Sequence, residues 1–240
     1  MSNFNNRISS FASAASRVSY DVGLREYMLS VYNFMAIALA ISGLTAFLVA
    51  SSPALMSVLF GTPLAWVVML APLGFVFFFS YKLGSISAQQ AKNYLWIYSG
   101  LMGLSMASIF VIYTGASVAR VFFISASTFG AMSLYGYTTK KDLSGLGSFL
   151  IMGLIGLIIA SLVNIFLKSS ALEFALSVLG VFIFIAFTAY DTQRIKQIYY
   201  QVAGSGEMAA KMAVLGALNL YMDFINLFMM MLRFFGERRN

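Results

Sequence analysis

Apolar residues in this chain come in long runs. Residues 64–81, LAWVVMLAPLGFVFFFSY, carry no charge, and comparable runs lie near 28–50, 94–114, 119–138, 148–167, 171–191 and 211–232. A helix needs about 20 apolar residues to cross roughly 30 Å of hydrocarbon. The pattern therefore predicts seven membrane-spanning helices joined by short connectors, of which SSPALMSVLFGTP (51–63) is the only uncharged one of any length. No segment is long enough for a separate soluble domain. The chain divides into a polar N-terminal tail (1–27), a seven-helix membrane domain (28–232) and a basic C-terminal tail (233–240). The first tail lacks the apolar core of a signal peptide. It reads as partly disordered, with an interfacial helix.

Composition agrees. Hydrophobic residues make up 60% of the chain and charged residues 10%, where a soluble domain carries about 25% charged. The class is an all-α integral membrane protein. The formal charge of +7 does not point to nucleic acid, because the basic residues stand singly or in pairs between apolar runs, as anchors and orientation signals do. Cysteine and histidine are absent, which removes disulfides, zinc sites and histidine-based catalysis.

Orientation follows from lysine and arginine. Arg7, Arg17 and Arg25 in the tail share a side with Lys82, Lys92, Lys140, Lys141, Arg194, Lys196 and Lys211, against Arg120 and Lys168 in the opposite connectors. That excess predicts a cytoplasmic N-terminus. Arg233, Arg238 and Arg239 break the rule if all seven spans cross, so either the seventh is re-entrant or the rule yields there. Small residues four apart (Ser99, Gly103 and Ala107; Gly156 and Ala160; Ser127 and Ala131) predict faces where helices approach closely.

Two acids interrupt the apolar pattern. VFIFIAFTAYDTQRIK (181–196) brings in Asp191, and NLYMDFINLFMMMLR (219–233) brings in Asp223. An ionised acid at the bilayer centre costs about 2.5–3.5 kcal/mol on insertion scales. Asp223 should thus face the bundle interior, and Asn219 and Asn226 share its helical face at i−4 and i+3. Two readings stand for each acid. Asp191 is an interfacial partner of Arg194 and Lys196, or one half of a pair with Asp223. Asp223 is bonded to Asn or Ser on a neighbouring helix for packing, or it is the other half. The pair forms only if span six runs past Gln193 or span seven starts late, near Gly216. Two carboxyls meeting out of water would share a proton, or on losing it repel or capture a hard cation such as calcium. A proton-sensitive latch across a cation path is the natural use.

At these residues the chain resembles the transmembrane Bax inhibitor motif (Bax inhibitor-1) family, most of all its bacterial members. AYDTQRIK (189–196) and ALNLYMDFINLFMMMLRFFG (217–236) are similar to its two C-terminal signatures, and residues 103–144 to its third and fourth spans. The resemblance covers roughly 24–236. It implies a seven-helix bundle with a central C-terminal helix, in a bacterial cytoplasmic (inner) membrane. It implies that Asp191 and Asp223 form a proton-sensing pair and a calcium contact, controlling a calcium leak. In some members a basic residue of the second helix latches one aspartate. Here span two has none before Lys82, which leaves Lys82 or Arg194 as latch partner. The resemblance also implies the alternative of a non-transporting regulator that binds a membrane-embedded protease or cell-stress machinery. Neither reading is an enzyme, and neither needs a cofactor. A two-aspartate membrane protease would pair Tyr-Asp with Gly-x-Gly-Asp, and the chain has no Gly-x-Gly-Asp.

Overall fold

The computed structural model describes residues 2–239, with side chains over 22–239. Nine helices make up this region: α1 (Ser2–Ala50), α2 (Pro53–Phe60), α3 (Leu64–Lys82), α4 (Ala88–Met106), α5 (Ile109–Ile112), α6 (Gly115–Thr138), α7 (Leu146–Leu167), α8 (Ser170–Val202) and α9 (Gly206–Phe235). Seven segments are long and apolar enough to cross a membrane, α4 and α5 together forming one of them. The segment expected as a polar tail enters α1, and its side chains before Val22 lie outside the described residues.

Hydroxyl residues set where helices start. Ser87 accepts from Gln90 N while the Gln90 side chain accepts from Ser87 N, a capping box that opens α4. Thr114 accepts from Ser117 N at α6 and Ser169 from Leu172 N at α8. Each supplies an oxygen to an N–H that the helix cannot satisfy itself. Between α8 and α9 the chain reverses within Ala203–Ser205, and Gly204 takes φ 86°, where a side chain would be strained.

The last helix is the centre. α9 packs on α8, α1, α6 and α4, and Val214, Ala217, Leu220, Tyr221 and Leu227 on it are wholly buried. By contrast α7 packs chiefly on α8, and α3 on α4 and α2. Their outward residues, Phe149, Ile155 and Phe166 on α7 and Trp66 and Phe77 on α3, are large, apolar and exposed. A helix apolar all round belongs in lipid.

Small residues do bring helices together, though only partly where the i, i+4 pattern expects. Ser99, Gly103 and Ala107 are buried, and a Cβ on Gly103 would sit 2.6 Å from the Ser42 carbonyl oxygen of α1. The other two ridges need correcting. Ser127, Ala131 and Gly156 are exposed, and a Cβ on Gly156 meets nothing within 4 Å. The inner face of α6 is instead Ser117, Val121, Ser125, Phe129, Ser133 and Gly136. A Cβ on Gly136 would collide with the Ala189 carbonyl of α8.

The seventh span crosses. At one end of the bundle Glu207 accepts from Ala88 N at 2.6 Å, tying the start of α9 to the start of α4. At the other end the residues after α9 bind the end of α5 and the connector before α6: Thr114 N donates to Glu237 O, and Arg239 N to Ile112 O. Arg120 pairs with Glu237 at 3.1 Å and Arg238 with Glu173 at 3.5 Å. Re-entry is excluded, and the C-terminal arginines lie at the end opposite the α8–α9 turn.

Candidate functional site

Apolarity ends near Asp191, but the helix does not. α8 continues to Val202, about three turns further, because polar groups beyond the apolar run have partners. Gln193 donates to Lys141 O and accepts from Leu143 N, both at 2.8 Å. Lys196 donates to Tyr137 O at 2.9 Å and lies over the Tyr137 ring. Of the two conditions for a pair, the extended span six is the one met. α9 starts early, at Gly206, and Gly216 lies inside it, where a Cβ would be 3.2 Å from Ile195 of α8. Gly180 opposite Met230 continues this antiparallel register at the far end.

Within that seam the two acids meet. The side chains of Asp191 and Asp223 are within hydrogen-bonding reach of each other. Both are buried, at 8% and 6% exposure, so water is a minor partner. Asp223 Oδ2 has no hydrogen-bond partner among the described residues. A carboxylate only accepts, so a hydrogen bond between two carboxyls requires that one carry a proton.

Cations stand back from the pair. Arg194, one turn after Asp191, is the charge felt there, but it is exposed and makes no ion pair among the described residues. Lys196, engaged with Tyr137, makes none with Asp191, so the interfacial ion-pair reading does not describe this arrangement. Lys82 ends α3, which packs on α4 and α2, and it also makes no ion pair among the described residues. Asn219 and Asn226 are half-buried on the same helix as Asp223, and neither side chain has a hydrogen bond to another described residue. The fit to calcium is partial. Two carboxylates offer at most four oxygens, calcium takes 6–8, and no cluster of three His, Cys, Asp or Glu exists among the described residues. Two carboxylates alone would leave at least two positions of such an ion to water or other oxygens.

Hydroxyl groups missed in the sequence flank the acids. Thr192 donates to Thr188 O at 2.7 Å, so it accepts from Ser133, at 2.9 Å, which in turn accepts from Tyr32. That relay ties α1, α6 and α8 beside Asp191. Two residues before Asp223, Tyr221 shares a 2.6 Å hydrogen bond with Ser42, whose hydroxyl also faces Ser99 O at 2.8 Å. The available signal was hydroxyl residues spaced by multiples of four inside apolar spans, as Ser117, Ser125 and Ser133 are. On the adjoining face of α8, Tyr190, Arg194, Gln197 and Gln201 line a polar cavity of about 300 Å³ that is half open to the surface.

Over residues 24–240 the chain matches the family described as inhibitor of apoptosis-promoting Bax1. It is 50% identical over 222 residues to an uncharacterized protein of Rickettsia prowazekii, covering 92% of this chain and 94% of that one. An uncharacterized protein of Caulobacter vibrioides is 48% identical, with 92% of each chain covered. The inner membrane protein YbhL of Escherichia coli is 45% identical over 231 residues, covering 95% of this chain and 99% of YbhL.

Proposed function

We propose that this chain, which belongs to the Bax inhibitor-1 family and is a multi-pass membrane protein, is a pH-sensitive cation leak whose gate is the Asp191–Asp223 pair and whose cargo is calcium. The single observation that carries the reading is the pair itself: two buried carboxyls facing each other across the α8–α9 seam with no cation among the described residues in ion-pair contact. With one proton between them the pair links the helices. Without it, two like charges in a low-dielectric seam repel or draw in a hard cation. The half-open polar cavity beside α8 gives protons and ions a nearby aqueous approach. By relation to YbhL the membrane is the bacterial inner membrane, and the excess of basic residues puts the N-terminus in the cytoplasm.

The test is flux from liposomes containing a calcium-sensitive dye. Wild-type flux is expected to change severalfold with pH across the neutral range, and Asp223→Asn to remove that dependence. Asp142→Asn is the control. Hydrogen bonds from the Ser144 side chain and backbone N–H hold the Asp142 carboxyl below the ordinary carboxylate range. Its ionised form thus contributes above that range, and the contribution is lost only as pH falls through the lowered value. Neutral-range flux should not register it. An Asp223→Asn protein that keeps the wild-type pH profile would remove the pair from the gate.

A further inference from the structure

Between α1, α5, α6 and α9 lies a half-open cavity of about 270 Å³, walled by Leu39, Ala46, Phe110, Val118, Phe122 and Phe228. It sits within the membrane-crossing segments, so its mouth opens on lipid tails and an acyl chain is its natural filling. A choice among lipids comes from the mouth. Phe110, a wall residue, accepts through its carbonyl oxygen from Arg239 Nη1 at 3.4 Å, which holds a guanidinium against the backbone of the slot's wall. Arg120, next to the wall residue Ala119, is neutralised by Glu237. Arg239 has no carboxylate partner among the described residues. Guanidinium matches phosphate in charge and in its fork of donors, and basic pockets between membrane helices take anionic headgroups.

We propose that this slot binds one anionic phospholipid of the leaflet at the C-terminal end of the bundle, its tail between α1 and α6 and its phosphate on Arg239. The site is separate from the aspartate pair but touches the same framework. Ser42 and Phe224 line it, Ser42 is bonded to Tyr221, and Phe224 follows Asp223 in the chain. A bound tail would therefore press on the α1–α9 contact.

Native mass spectrometry of the delipidated protein, given phosphatidylglycerol or phosphatidylethanolamine at equal concentration, tests the site. Wild type is expected to retain severalfold more phosphatidylglycerol. Arg239→Gln should abolish that excess while keeping residual binding of both. Gly43→Leu, placed where a Cβ meets nothing within 4 Å, should fill the slot and lose both lipids. Unfolding temperature checks both variants, and because Arg239 is exposed, Arg239→Gln decides the matter even if Gly43→Leu misfolds. Equal retention of the two lipids by wild type overturns the site, as does a phosphatidylglycerol preference that survives Arg239→Gln. Unchanged binding by a folded Gly43→Leu protein overturns it too.

Discussion

An acid in a membrane helix is tolerated when something replaces its water, and here the replacement is another acid. The seam should therefore accept an amide in place of one carboxyl, because an amide N–H can donate to the remaining carboxylate. Asp223→Asn should fold with a thermal stability near that of wild type. Tyr221→Phe should do worse although it carries no charge. Tyr221 is wholly buried, and its hydroxyl reaches Ser42, a residue that also faces the Ser99 carbonyl. Removing it cuts α9 from the α1–α4 contact at Ser42, at a cost of about 0.5–1.5 kcal/mol for one net hydrogen bond. Thermal unfolding in detergent should rank the two variants in that order. A Tyr221→Phe protein as stable as wild type would mean that the hydroxyl contact contributes nothing.

Elements join through backbone proximity more than through apolar bulk, since lipid is as apolar as the side chains it borders. The α6–α8 contact is the sharpest case. Gly136 admits the Ala189 carbonyl, and Ser133 and Thr192 bond one turn away. Gly136→Leu should force the two helices apart, costing about 1–3 kcal/mol as overpacking does. Gly130→Leu, on the exposed face of α6 where a Cβ meets nothing within 4 Å, should leave the unfolding temperature nearly unchanged. Much at this scale was legible in the sequence: seven spans, the central last helix, and Asp223 turned inward. Length and apolarity decide the spans, the cost of a charge in lipid turns Asp223 inward, and the central last helix is what the family resemblance implied. Two things were not legible. Spacing by four marks a small-residue stripe without saying which stripe faces inward, so Ser127 and Ala131 read like Ser99 and Gly103 although lipid faces the former. Apolarity also ends where hydrocarbon ends, whereas a helix ends where its backbone partners run out. α8 therefore outran its apolar run, and those extra turns are what let Asp191 lie beside Asp223.

For the whole molecule, the two ends of the bundle differ in how they handle charge. Among the residues whose side chains are described, eight lysines and arginines lie towards the end with the α8–α9 turn: Arg25, Lys82, Lys92, Lys140, Lys141, Arg194, Lys196 and Lys211. Five lie towards the other: Arg120, Lys168, Arg233, Arg238 and Arg239. Because α9 crosses, the last three must be counted against the rule, and the asymmetry survives them. Two of the five are also held by Glu237 and Glu173, so their presence there is explained by local ion pairs rather than by topology. Translocation is opposed by unpaired positive charge near the early spans, and those spans carry theirs at the N-terminal end. Since the chain has no cysteine, a single one reports its own side. Gly84→Cys sits in the connector before α4, where a side chain meets nothing within 4 Å, and Thr62→Cys sits in the connector before α3 at the opposite end. In intact cells an impermeant maleimide should label Thr62→Cys and reach Gly84→Cys only after the membrane is opened. The reverse pattern would turn the bundle over, so that the polar cavity lined by Arg194 and Gln197 faced the periplasm and the proposed gate would meet the outer solution instead of the cytoplasm.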